Sequence, residues 1–193
     1  MLSKCYKKTT KFIAITLLAF SANSYAAQCN TKSLDSMFSL MAQRNSLMMG
    51  VAAYKYVKKS GVYDAKQELS VLQNSLNIAD RYQLNADKLM VFIQIQMDIS
   101  KQIQTQLIEH WKTVPADAPD PAITPDLTTL RSQIAAIDAK LYPQISSNIT
   151  NLKQCSQDTI LKRYTKAMQD IKGIPADPDY NLIVIAALKN ISK

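Results

Sequence analysis

Glycine occurs only three times in 193 residues, at positions 50, 61 and 173, and strand-like alternation of apolar and polar residues is scarce. The bulk of the sequence is Leu, Ile, Ala, Gln, Lys and Met, a mixture that favours helix over strand. These features predict an all-α protein.

Apolar residues at three- and four-residue spacing mark the helices. Leu34, Met37, Phe38, Met41, Met48, Val51 and Ala52 place the first over residues 31–59, ended by Ser60-Gly61. Asp64 stands at an N-cap, with Gln67 three residues on as a capping-box partner. Leu69, Leu72, Leu76 and Ala79 give a short second helix. A long third helix starts near Asn85 and runs through Leu89, Phe92, Ile93, Met97, Ile103 and Leu107 to Trp111. Pro115, Pro119, Pro121 and Pro125 then make a loop. A fourth helix carries Leu130, Ile134, Ile137 and Leu141 and is extended by Ile145, Ile149 and Leu152 beyond a kink expected at Pro143. Two shorter helices, over 158–171 and 180–191, flank the breaker Gly173-Ile174-Pro175. The result is a single-domain bundle of about six helices.

The N-terminus reads as an export signal rather than as fold. Lys4, Lys7, Lys8 and Lys11 precede the apolar run Phe12 to Phe20 and the small-residue cleavage signal Ser24-Tyr25-Ala26. The run is too short for a membrane span, which needs about 20 apolar residues. Residues 1–26 are therefore expected to be removed, leaving a domain over 27–193 that is periplasmic or secreted and not membrane-bound. The leader holds four lysines and no acid, so the formal charge of +8 falls to +4 without it. That mild excess speaks against a nucleic-acid partner, whose binders carry a basic stripe within the domain itself. Cys5 leaves with the leader, and Cys29 and Cys155 remain as an even pair in an oxidising compartment, the setting for a disulfide.

The inventory of reactive groups is thin. His110 is the single histidine and is read as structural, because a metal site wants three or four ligands. No phosphate-cradling loop, zinc spacing or nucleophile elbow is present. No cofactor and no metal are expected.

The anomalies are polar residues on apolar stripes. Arg44 and Lys55 fall in the series Met41, Arg44, Met48, Val51, Lys55. At about 100° per residue they point to one side, roughly 16 Å apart along the axis, a separation able to straddle a small ligand. Gln96, Ser100 and Gln104 form a polar row on the third helix. Both patterns also have plain structural explanations: long cations bury their stems and wet their heads, and amides bond between helices. Asp64 and Glu68 are equally explained as an N-cap and a first-turn acid favoured by the helix dipole.

Taken together, Leu40-Met41-Ala42-Gln43-Arg44, Ala53-Tyr54-Lys55, and Asp64 with Gln67-Glu68 resemble the first two helices of the all-α chorismate mutases. The third helix continues the likeness with Phe92-Ile93, Gln96-Met97-Asp98, Ser100 and Gln104, and Asp126-Leu127 followed by Leu130-Arg131 is similar to the secreted subclass. The resemblance implies an enzyme that rearranges chorismate to prephenate between helices of one protomer. By it, Arg44 and Arg131 hold the two carboxylates, Lys55 and Gln104 hydrogen-bond the ether oxygen, Glu68 and Asp64 receive the ring hydroxyl, and Ser100 lines the pocket. Arg131 replaces the arginine that a dimer partner donates in the cytosolic relatives, and a homodimer remains compatible with the sequence. Gln67 is a departure, because many relatives have arginine there. Two other readings stay open: a pyruvate lyase acting on isochorismate on a similar scaffold, and a non-catalytic exported binding protein or chaperone using its Met-rich first helix.

Overall fold

The computed structural model describes residues 28–192, and the expected export signal over 1–26 lies outside them. Six α-helices make up the described chain: α1 (Thr31–Val57), α2 (Ala65–Arg81), α3 (Ala86–Thr113), α4 (Leu127–Gln154), α5 (Gln157–Met168) and α6 (Pro178–Asn190). The proline-rich connection after α3 contains one 3-10 turn over Pro115–Asp117. No strand occurs among the described residues.

Local chemistry sets the helix starts. Asn30, Asp64, Asn85, Asp126, Ser156 and Asp177 each accept a backbone N–H of the first turn, as short polar side chains at N-caps do. The α5–α6 connection bends at Gly173, whose φ of +76° is a conformation that side chains with a Cβ resist. α4 carries Pro143 in its interior, yet continues as one element from Leu127 to Gln154.

α1 is the axis of the bundle and packs against α3, α4 and α5, while α2 lies on α3 and α6 closes over α3, α4 and α5. The core is built from Leu34, Met37, Phe38 and Met41 of α1, Leu89, Phe92, Ile99 and Ile103 of α3, and Leu141 and Ile145 of α4, all fully buried. Gly50 lets α4 come close to α1, since a Cβ there would lie 2.9 Å from Leu130 Cδ2.

Cys29 and Cys155 are joined as the cysteine count predicts, across 126 residues of sequence. Beside the bridge Asn30 N donates to Asn151 Oδ1 and Asn151 Nδ2 donates to Asn30 O, both at 2.7 Å. The start of α1 is thus clasped to the end of α4.

The second helix departs from expectation. Leu69 and Leu76, expected on its buried stripe, are 56% and 53% exposed. The reason is packing: α2 lies chiefly on α3 and buries Ser75 and Ala79, while the face turned toward α4 lines a cavity instead of filling core.

Candidate active site

A cavity of about 580 Å³ opens between α1, α2, α3 and α4, and all eight polar residues singled out as substrate contacts line it: Arg44, Lys55, Asp64, Gln67, Glu68, Ser100, Gln104 and Arg131. Gln96, the first of the polar row on α3, is buried but is not a lining residue; its backbone carbonyl accepts from Ser100 Oγ at 2.7 Å. His110 lies elsewhere, paired at the surface with Asp117 at 2.7 Å.

Arg44 is held from two directions. Nε donates to Asp138 Oδ1 at 3.0 Å and Nη1 to Ser100 Oγ at 3.1 Å. Ser100 Oγ is itself oriented by donating to the Gln96 carbonyl one turn back. A buried guanidinium needs such partners, because an unpaired buried charge is costly.

Lys55, eleven residues along the same face, is 7% exposed and donates Nζ to the carbonyl of Val62 in the α1–α2 connection. Burial lowers its pKa from 10.5, with Arg131 adding to the fall and Asp64 and Glu68 opposing it.

Asp64 does two jobs. Oδ1 caps α2 by accepting from Gln67 N at 3.0 Å, and Oδ2 accepts from Arg131 Nη2 at 2.6 Å. The backbone bond to Gln67 and the Arg131 guanidinium hold the Asp64 carboxyl below its ordinary range against the opposing effect of burial.

Gln104 Nε2 donates to the Ser100 carbonyl at 2.9 Å and lies 3.7 Å from Met48 Sδ. A thioether is a weak acceptor, so the N–H aimed at Met48 is the one open to a better one. Glu68 Oε2 accepts from Lys101 Nζ at 3.2 Å, and Asp98 is 3.0 Å from the same ammonium. Burial disfavours the charge of Lys101, yet the hydrogen bonds to Asp98 and Glu68 outweigh it and raise its pKa.

Three charged residues of the lining were not foreseen: Arg81, Lys101 and Asp138. Asp138 did leave a trace, because it follows Arg131 by seven residues and Leu127, Arg131, Ile134, Asp138 and Tyr142 form one stripe of α4. Lys101 adjoins Ser100, a neighbourhood that carries no directional signal in a helix.

The charge balance of the lining is informative. Each acid is paired with a lining cation: Asp64 with Arg131, Glu68 with Lys101, Asp138 with Arg44. Five cations against three acids leave a formal excess of two positive charges, carried by Lys55 and Arg81. Such a cavity suits a small dianion with apolar carbon between its charges, the walls including Val51, Val71, Ile78, Met97 and Ile134.

Both the sequence and the fold have counterparts among known proteins. Residues 35–105 match the family model described as chorismate mutase type II. The chain is 31% identical over 143 residues to a monofunctional chorismate mutase of Enterobacter agglomerans, the match covering 72% of this chain and 77% of that protein. Among solved structures, the secreted chorismate mutase of Yersinia pestis superposes with a TM-score of 0.69 at 19% identity, covering 86% of this chain and 99% of the other. A chorismate mutase of Burkholderia thailandensis does so with a TM-score of 0.65 at 18% identity, over 81% and 99% of the two chains.

Proposed function

The chain belongs to the chorismate mutase type II family, and from that premise we propose that the cavity between α1 and α4 is where it converts chorismate to prephenate. The single observation that carries the proposal is convergence: cations and amides from α1, α3 and α4 line one cavity whose formal charge excess matches a dianion.

The reaction is an intramolecular pericyclic shift, so it requires no nucleophile, general base or cofactor. The protein's first task is to hold a flexible dianion in its compact reactive conformer, which removes an entropic part of the barrier. Arg44 and Arg131 do this by taking one carboxylate each, their planar forks fixing direction as well as charge. Asp64 and Ser100 hold those guanidiniums ready before substrate arrives.

The second task is electrostatic. As the carbon–oxygen bond breaks, negative charge grows on the ether oxygen, and donors already aimed there favour the transition state over the substrate. Lys55 and Gln104 are assigned that role, Gln104 through the N–H now facing Met48. Glu68, with one oxygen on Lys101, accepts from the ring hydroxyl together with Asp64. Gln67 offers a neutral donor where many relatives have arginine, so the carboxylates rely on Arg44 and Arg131.

Residues 1–26 are assigned as an export leader and the domain as periplasmic or secreted. Among the described residues no helix is long and apolar enough to cross a membrane. N-terminal sequencing of exported protein tests the leader, with Ala27 expected as the first residue. Product analysis tests the activity: prephenate is expected from chorismate, whereas salicylate plus pyruvate from isochorismate would assign a lyase, and no turnover of either a binding protein.

A further inference from the structure

We propose that Asp138, which lies beyond the residues 35–105 matched by the family model, is a positioning residue that sets how Arg44 meets the substrate. An acid beside a dianion site is at first sight misplaced, since its charge repels the ligand. The geometry shows what it gives in return. Its Oδ1 sits 3.0 Å from Arg44 Nε, with the two side chains only 22% and 11% exposed, and it is a lining residue of the cavity itself.

A guanidinium has five N–H groups in a rigid plane, and a carboxylate can bind it along the edge shared by Nε and Nη2 or along the end shared by Nη1 and Nη2. Asp138 occupies Nε and Ser100 takes one N–H of Nη1. The Nε position is thereby closed, and Nη2 with the second N–H of Nη1 is left for substrate. With two bonds on different nitrogens the plane of the guanidinium cannot swing, so the entropy of ordering it is spent on folding and not on binding. The attraction of Asp138 for Arg44 at contact distance also acts over a shorter path than its repulsion of a carboxylate on the far end of the same fork.

Burial gives the arrangement a pH signature. Desolvation raises the pKa of Asp138 even against Arg44. The titratable or charged groups that interact with it directly are Arg44 of α1 and Tyr142 one turn on in α4; the same cavity lining also holds Lys55 of α1, Asp64, Glu68 and Arg81 at and within α2, Lys101 of α3 and Arg131 of α4. Neither Arg44 nor Tyr142 changes charge on the acid side of neutrality, and the two Asp138 variants separate its protonation from that of the other carboxylates in the lining. Protonation would leave a neutral carboxyl against Nε and loosen the fork, so KM should climb as pH falls, starting above the ordinary carboxylate range. Asp64, held below that range, titrates at lower pH.

The inference rests on Arg44 binding a substrate carboxylate, and the experiment separates the two. Steady-state kinetics with chorismate would be measured from pH 5 to 8 for the wild type, Asp138→Asn, Asp138→Ala and Arg44→Ala. KM is the readout because it does not depend on the folded fraction of a sample. Expected are a KM about tenfold higher for Asp138→Ala with kcat within threefold, a smaller rise for Asp138→Asn, which keeps an acceptor for Nε, and loss of the acid-side climb in both. A KM equal to or below wild type in both variants, or an unchanged pH profile, overturns the role of Asp138 even if Arg44→Ala abolishes activity. If Arg44→Ala is itself near wild type, the site reading fails first.

Discussion

Residue by residue, the proposed mechanism depends on charges kept in places where charge is expensive. Lys55 is the clearest case: burial lowers its pKa, and it has one carbonyl partner until substrate enters. Lys55→Ala should lower kcat/KM at least about 10²-fold, taking one lost preorganised donor as roughly 2.7–4 kcal/mol. A purified variant within threefold of wild type would remove Lys55 from the chemistry. The direction of its shift adds a pH test. Because the folded pKa lies below 10.5, activity should fall on the alkaline side before that value, and Lys55→Arg should move the fall upward. Stability responds oppositely: the penalty for burying the ammonium is present at low pH and is relieved as pH rises through the folded pKa. Gln104 is neutral at every ordinary pH, so useful activity is expected at pH 7 to 8. Gln104→Glu must be protonated to donate and should shift the optimum acidic; an unchanged profile would argue against contact with the ether oxygen.

Among the helices, what the sequence discloses depends on whether a side chain faces a partner that its own spacing implies. The stripes of α1 and α3 were legible because each is buried over its whole length, Leu34 to Ala52 and Leu89 to Leu107. N-caps such as Asp64 and Asn85 were legible because capping is local. The buried face of α2 is less legible, since a helix that lines a cavity and packs chiefly on one neighbour does not need its leucines inside, and Leu69 and Leu76 are exposed. Asp138, Lys101 and Arg81 were not legible as site residues because ion pairs across helices depend on how the helices are set against each other, which no single stripe encodes. Gly173 shows how tightly that setting is specified. Its φ is +76°, and a Cβ would lie 2.9 Å from the backbone oxygen of Ile103. Gly173→Ala should therefore destabilise the protein by about 1–3 kcal/mol through strain and displacement of α3, read as a lower Tm. A Tm unchanged within a degree would mean that the turn adapts freely.

For the molecule as a whole, the Cys29–Cys155 bridge and the Asn30–Asn151 clasp tie the start of α1 to the end of α4, the two helices that carry Arg44, Lys55 and Arg131. A loop spanning 126 residues is worth about 4–5 kcal/mol in the chain-entropy model. Replacing both cysteines with alanine should lower the unfolding free energy by about 2–5 kcal/mol in a denaturant titration, while kcat/KM at low temperature stays within a few-fold, since the bridge lies away from the cavity. A large loss of activity in fully folded protein would instead make the bridge part of the site. In the proposed mechanism one protomer gathers its own cations around a dianion. The most direct test is the loss of chorismate absorbance with purified residues 27–193, with and without Arg44→Ala. Rapid turnover by the wild type is expected, with a fall in kcat/KM of at least about 10²-fold in the variant from the loss of a charge-assisted bidentate contact. Equal rates for the two proteins, or no rate above the uncatalysed reaction for either, would contradict the mechanism.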